Sequence, residues 1–194
     1  MVKLPVGVDL NNLIDYLRII GWEASDILLH FSNKIKDLNY KKDIIKFKTD
    51  NDPVTLADLK VSKLIIQRIN EKYFNVNWSI LSEENVNLES HDLQKDSEWL
   101  WVLDPLDGTK DFIQGTSSYA MHLALNYKNR PYLGFVLIPE KDELWIADGK
   151  KVWCEKKNGS KIKPCFSKNN NLKDMVLVTS KNHRNETLRN LIKK

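Results

Sequence analysis

The segment Trp99 to Phe112, WLWVLDPLDGTKDF, limits what this chain can become more than any other stretch. Five apolar residues, Trp99 to Leu103, read as a buried strand that should end at Pro105, because proline cannot donate to a sheet ladder. That strand delivers two carboxylates, Asp104 and Asp107, across a proline corner, with Gly108 and Thr109 directly after them. Acids fixed together at the end of a hydrophobic strand repel one another and are costly to desolvate unless a cation lies between them, and oxygen-ligated Mg²⁺ is the common solution. Gly108 permits close backbone approach, and amides around Gly108 and Thr109 can donate to a phosphate oxygen. The same residues also read as an Asp-Pro turn followed by an Asp-Gly turn, so the neighbouring segments decide between the two.

Two further acidic clusters precede this one: KTDNDPVTLAD from Lys48 to Asp58, and ILSEEN from Ile80 to Asn85. Three acid clusters in a small chain suggest one shared site. Glu83 and Glu84 follow a strand-like Trp78 to Leu81, which places a carboxylate at a strand end much as Asp104 is placed. Taken alone, Ser-Glu-Glu reads as a solvated turn or a helix start. Thr55 and Asp58, three residues apart, form the pattern of a helix-capping pair, in which a hydroxyl accepts from an amide of the first turn.

The ordered set KTDNDPVTLAD, LSEEN and DPLDGTKDF resembles the inositol monophosphatase family of Mg²⁺-dependent, lithium-sensitive phosphatases. Within it, DNDPVT and the Lys110-Asp111-Phe112 ending resemble most the bacterial 3'(2'),5'-bisphosphate nucleotidases. The resemblance implies an α+β fold, a layered α/β sandwich in which two long helices lie on a large antiparallel sheet. It further implies residues 1–166 as an N-terminal metal- and phosphate-binding domain, and residues 167–194 as a linker with only the start of a second α/β domain. By position it implies Glu83, Asp104, Asp107 and the backbone carbonyl of Leu106 as metal ligands, with Asp104 bridging two ions and two or three Mg²⁺ ions in the full family site. Asp50 resembles the family's proton acceptor, paired with the Thr109 hydroxyl to orient the attacking water. Asp52 competes for that role, but the turn before Pro53 favours short polar residues, so Asp52 is read as a turn acid.

Ser180-Lys181-Asn182-His183 resembles the family's nucleotide-contacting Thr/Ser-Arg-Ser-His motif, which implies Ser180 and His183 as substrate contacts beside Glu83, Asp107, Gly108 and Thr109. Lys181 stands where that motif has Arg and so lacks the planar fork of a guanidinium. A lone His after a strand also reads as a surface residue or a helix-cap neighbour. The implied reaction removes the 3'-phosphate of adenosine 3',5'-bisphosphate to give AMP and phosphate. An inositol or sugar monophosphatase is the alternative within the class, and a remnant that binds metal or nucleotide without turnover is the alternative outside it. The family's late Trp-Asp motif, whose Asp completes the second metal site, has no counterpart in these 194 residues. The expectation is therefore weak activity from this polypeptide by itself, as a fragment or a truncated product, with a homodimer or a completing second chain as a partner.

Composition narrows the remaining classes. Thirty basic against 26 acidic residues give a net charge of +4, spread along the sequence, which is no argument for nucleic-acid binding. Cys154 and Cys165 read as free thiols of a reducing cytoplasm. The start, MVKLPVGVDL, lacks the apolar core of a signal peptide, and no run reaches membrane-spanning length, so the expectation is a cytoplasmic protein.

Helical spacing of Leu10, Leu13, Ile14, Leu17, Ala24, Ile27, Leu28, Phe31 and Ile35 predicts a first helix over about residues 9–37, loosened at Gly21. A second is expected from about Leu56 to Tyr73, with Leu64, Ile65 and Ile69 facing inward. Tyr119 to Tyr127, Tyr132 to Ile138, Glu143 to Ala147 and Lys151 to Cys154 read as antiparallel strands, reversing at Asn129-Arg130-Pro131 and Asp148-Gly149-Lys150. Tyr127, Tyr132, Trp145 and Trp153 read as sheet packing. Asn85 to Ser97 reads as a polar loop, and Met175 to Thr179 as a short strand leading into a helix.

Overall fold

Apolar residues at helical spacing fold Leu10–Lys36 into α1 of the computed structural model. Its buried stripe runs from Leu13 to Ile35, and Lys34 and Lys36 suit the carbonyl end of the helix dipole. The helix continues through Gly21 rather than loosening there. Gly21 is buried, and a Cβ on it would meet Leu144 at 3.9 Å, so the small residue marks where the helix lies close to the sheet. The structure describes residues 3–36, 45–49, 52–84, 97–168, 171–176, 178–179 and 186–192.

Two short strands, β1 (Ile45–Thr49) and β2 (Asp52–Thr55), pair antiparallel as a sheet of their own and lead into α2 (Leu56–Lys72). The expected capping pair forms. The Thr55 hydroxyl accepts from the Ala57 and Asp58 amides at 3.1 and 3.4 Å, and the Asp58 carboxylate accepts from the Thr55 amide at 2.9 Å. Ala57, Val61, Ile65 and Ile69 are fully buried, while Leu64 is only partly so.

The large sheet has seven strands in sequence order: β3 (Ser79–Ser82), β4 (Trp99–Asp107), β5 (Ala120–Tyr127), β6 (Arg130–Ile138), β7 (Glu143–Ala147), β8 (Val152–Glu155) and β9 (Lys161–Ile162). It is mixed, not wholly antiparallel, because β3 pairs parallel to β4 with Ser82 beside Leu103. The strand β4 does not stop at Pro105 but runs to Asp107. Its register with β5 shifts between Asp104 and Asp107, and such an irregularity frees Pro105 from any need to donate. The turn after β5 is Lys128-Asn129, both at positive φ (48° and 61°), so Arg130 and Pro131 already belong to β6.

Alternation along the strands puts Trp99, Trp101 and Leu103 with Met121, Leu123, Leu125, Leu133, Phe135, Leu137, Leu144 and Ile146 into one core with both helices. An aromatic chain ties the layers together. Tyr16 of α1 meets Tyr73 at 6.1 Å, Tyr73 meets Trp78 at 5.0 Å, and Trp78 meets Trp101 at 5.5 Å, all edge to face. Tyr127 and Tyr132 pack on Trp99, as sheet packing requires. Cys154 is a buried thiol and Cys165 an exposed one.

By its internal contacts the chain divides into Met1–Pro164 and Cys165–Lys194. The second unit holds a 3₁₀ turn (Leu172–Asp174) and α4 (Glu186–Ile192). Among the described residues of the segment expected as a strand, Met175 to Thr179, none pairs in a sheet. Val176 and Val178 are 84% and 88% exposed, so these described residues form no part of a ladder. Asn85 to Asp96, most of the expected polar loop, lies outside the described residues. No helix among the described residues is long and apolar enough to cross a membrane.

The core at the α2–sheet contact should dominate stability. Ile65→Ala is expected to lower the unfolding free energy by about 3 kcal/mol, and Ile65→Val by about 1 kcal/mol. Urea titration should show the midpoint falling with the m-value unchanged.

Candidate active site

Register brings the acids together. Because β3 and β4 are parallel and in step, β3 ends at Ser82 opposite Leu103 of β4, and the ladder extends one residue further through the Glu83 amide, which donates to the Leu103 carbonyl at 3.1 Å. Asp104 follows Leu103 directly, so Glu83 and Asp104 emerge side by side, with their carboxyl groups in hydrogen-bonding contact. The end of β3 is pinned from the helix layer, where the buried hydroxyls of Ser62 in α2 and Ser82 are 2.8 Å apart.

Asp104 is the electrostatic centre. Burial pushes its carboxyl above the usual carboxylate range, the charges of Asp107 and Asp58 push the same way, and the Leu106 amide and Glu83 pull against them. The Leu106 amide donates to Asp104 Oδ1 at 3.1 Å, which fixes the carboxyl against the turn. Asp107 is exposed. Among the described residues no three His, Cys, Asp or Glu side chains converge as a metal-binding group. Glu83 and Asp104 are thus brought into contact, with Asp107 near enough to act on Asp104 through its charge.

The donor set fits a hard divalent cation. It offers only oxygens, and the charges of Asp107 and Asp58 on the half-buried Asp104 are the repulsion that a cation would relieve. The Leu106 carbonyl accepts from the Thr109 hydroxyl at 3.0 Å, which uses one lone pair and leaves the second for a cation.

Gly108 lies at φ +85° and opens the single-turn helix α3 (Thr109–Ile113). A Cβ there would meet the Ser118 carbonyl oxygen at 2.6 Å and Tyr119 Cα at 3.3 Å. Both the positive φ and the absence of space exclude any other residue. The chain after α3 closes on itself, with the Thr116 amide and hydroxyl donating to the Asp111 carbonyl at 3.0 and 3.1 Å.

Two residues beside the acids were not marked as site candidates in the sequence. Asp58, recognisable there only as a cap, is 3% exposed and near enough to Asp104 and Glu84 for their charges to interact. Burial raises its carboxyl to about 6, against the pull of its hydrogen bonds to Thr55. His122 stands opposite Asp104 in the β4–β5 register, a placement that no local motif encodes. Asp50, Ser180 and His183 lie outside the described residues; Asp52 begins β2 as backbone. A cavity of about 270 Å³ lies elsewhere, between the N-terminal half of α1 and the β7–β8 hairpin, lined by Arg18, Trp153 and Lys161 among others.

Helices on one face of a mixed sheet, with acids crowded at the ends of its parallel pair and a glycine-threonine turn beside them, match a class of metal-dependent phosphatases. A sequence model of the inositol monophosphatase family matches residues 10–194, and the chain belongs to that family. Among its relatives, the 3'(2'),5'-bisphosphate nucleotidase CysQ of Buchnera aphidicola is 29% identical over 200 residues, covering all of this chain and 70% of that protein. The CysQ protein of Haemophilus influenzae is 33% identical over 130 residues, covering 66% of this chain and 44% of its own. The solved structure of the extragenic suppressor protein SuhB from Bartonella henselae shares the fold, with a TM-score of 0.61 at 22% identity over 76% of this chain and 53% of that one. The chain therefore spans only part of the length of each of these proteins.

The raised Asp58 carboxyl makes stability depend on pH. A carboxyl at about 6 when folded and near 3.8 when unfolded binds its proton more tightly in the native state, so its contribution is present below about pH 4 and lost as pH rises through 6. In metal-free buffer, Asp58→Asn should flatten the fall in melting temperature between pH 4 and 7 relative to the parent chain.

Proposed function

We propose that this chain carries the metal- and phosphate-binding part of a Mg²⁺-dependent phosphomonoesterase acting on adenosine 3',5'-bisphosphate, with AMP and phosphate as products. The carrying observation is the contact between Glu83 and Asp104, where β3 ends beside β4, four residues before the Gly108-Thr109 turn. Similarity to proteins named 3'(2'),5'-bisphosphate nucleotidase supports the substrate.

In this reading Glu83, Asp104, Asp107 and the Leu106 carbonyl hold the cation. When bound, Mg²⁺ supplies Lewis acidity, which makes water a stronger nucleophile near neutral pH and offsets charge on the leaving ribose oxygen. The chain's own work is placement. Asp104 is immobilised by the Leu106 amide, Thr109 is oriented by its bond to Leu106, and Gly108 lets the backbone approach an anion. Asp50 takes the role of proton acceptor with Thr109, and Ser180 and His183 that of nucleotide contacts, all three by motif resemblance.

Phosphate release should be measured from adenosine 3',5'-bisphosphate and from inositol 1-phosphate, with Mg²⁺, with and without lithium. The expected result is lithium-sensitive hydrolysis of the nucleotide in preference to the inositol ester. Asp104→Asn should lower it by more than the roughly 100-fold typical of losing even an outer partner of a metal ligand. Preference for inositol 1-phosphate would overturn the substrate, and Mg²⁺ or nucleotide binding without turnover would overturn the enzyme.

A further inference from the structure

We infer that Tyr119, held by Glu140 and Ser32, is a positioning residue that sets the Gly108-Thr109 backbone for the chemistry, an inference that rests on the phosphatase reading above. The Tyr119 hydroxyl donates to Glu140 Oε1 at 3.1 Å, and the same oxygen accepts from Ser32 Oγ at 2.8 Å. Lys36 Nζ lies 3.8 Å from it. Ser32 and Lys36 belong to the last turns of α1, and Glu140 to the 3₁₀ turn (Pro139–Lys141) after β6. Two separate elements therefore fix one phenol.

That phenol stands behind the phosphate turn. Its ring meets Phe112 of α3 edge to face at 4.8 Å, and its own backbone, with the Ser118 carbonyl, forms the wall on which Gly108 closes. The turn cannot retreat, because the Ser118 oxygen occupies the space a Cβ would need, and it cannot roll, because Phe112 is fully buried against Tyr119. Tyr119 is itself 4% exposed. A phenol buried in this way requires a hydrogen-bond partner, and Glu140 supplies it. The partners that hold Tyr119, namely Glu140, Ser32 and Phe112, are residues other than the acids Glu83 and Asp104. Leu106 and Asp107 adjoin the turn, so the network should govern chiefly how the turn grips and orients an anion, and cation affinity less.

Tyr119→Phe keeps the ring and removes the bond, and Ser32 and Lys36 still satisfy Glu140. Two readouts are needed. Amide hydrogen exchange of the Leu106–Phe112 segment reports the turn directly and needs no turnover; it should accelerate about tenfold in the variant, with α1 and β6 unchanged. Turnover of adenosine 3',5'-bisphosphate should fall about tenfold in kcat, while Mg²⁺ affinity by calorimetry falls by no more than about twofold. Glu140→Gln, whose amide oxygen can still accept from both hydroxyls, should behave as the parent, and Glu140→Ala as Tyr119→Phe.

Unchanged exchange in the turn overturns the inference, as does faster exchange with parental kcat, and so does a loss of Mg²⁺ affinity in step with kcat, which would mark general loosening of the unit. A parent chain without turnover overturns the phosphatase reading and, with it, the catalytic half of the inference; the exchange measurement still decides whether Tyr119 holds the turn.

Discussion

Asp104 cannot move away from Glu83 without breaking the ladder between β3 and β4. Their carboxyls are neighbours because two parallel strands are in step through Ser82 and Leu103 and the Glu83 amide closes the next rung. Crowded acids oppose folding, so the rest of the molecule must hold them there. The opposing forces are visible in burial of Trp101 and Leu103, in the Ser62–Ser82 hydroxyl pair and in the aromatic chain from Tyr16 to Trp101. Burial of each large apolar side chain contributes on the order of 2 kcal/mol. The core is thus the device that keeps these carboxyls together.

The helices serve the same edge. The first turn of α2 carries Asp58 beside Asp104, fixed by the cap on Thr55. The last turns of α1 reach the opposite side of the glycine turn through Ser32, Glu140 and Tyr119. Loops are ordinarily the mobile part of a domain, but this one is backed by Tyr119, which Ser32 and Glu140 hold from behind.

Much of this was legible locally. Asp104, Asp107 and Gly108 announced themselves as charges and a glycine at the end of an apolar strand, and Thr55 with Asp58 as a cap, because caps and strand ends are written in adjacent residues. Pro105 misled, since a register irregularity with β5 let the strand pass the proline. Gly21 read as a weak point and is a contact with Leu144. The segment Met175 to Thr179 has strand composition, and its described residues lack a partner to pair with. In each case the deciding neighbour lies far away in the chain.

By itself, then, the sequence determined the two helices, the run of β-strands, the order of the three acid segments and the family. Periodicity, caps and short motifs are properties of neighbouring residues, and they survive without coordinates. Only the tertiary structure decided that β3 lies parallel to β4, that Glu83 therefore touches Asp104, that Asp58 belongs to the acid cluster and that Tyr119 backs the glycine turn. Those are contacts between elements distant in sequence, created when apolar faces are buried against each other, and no local pattern carries them.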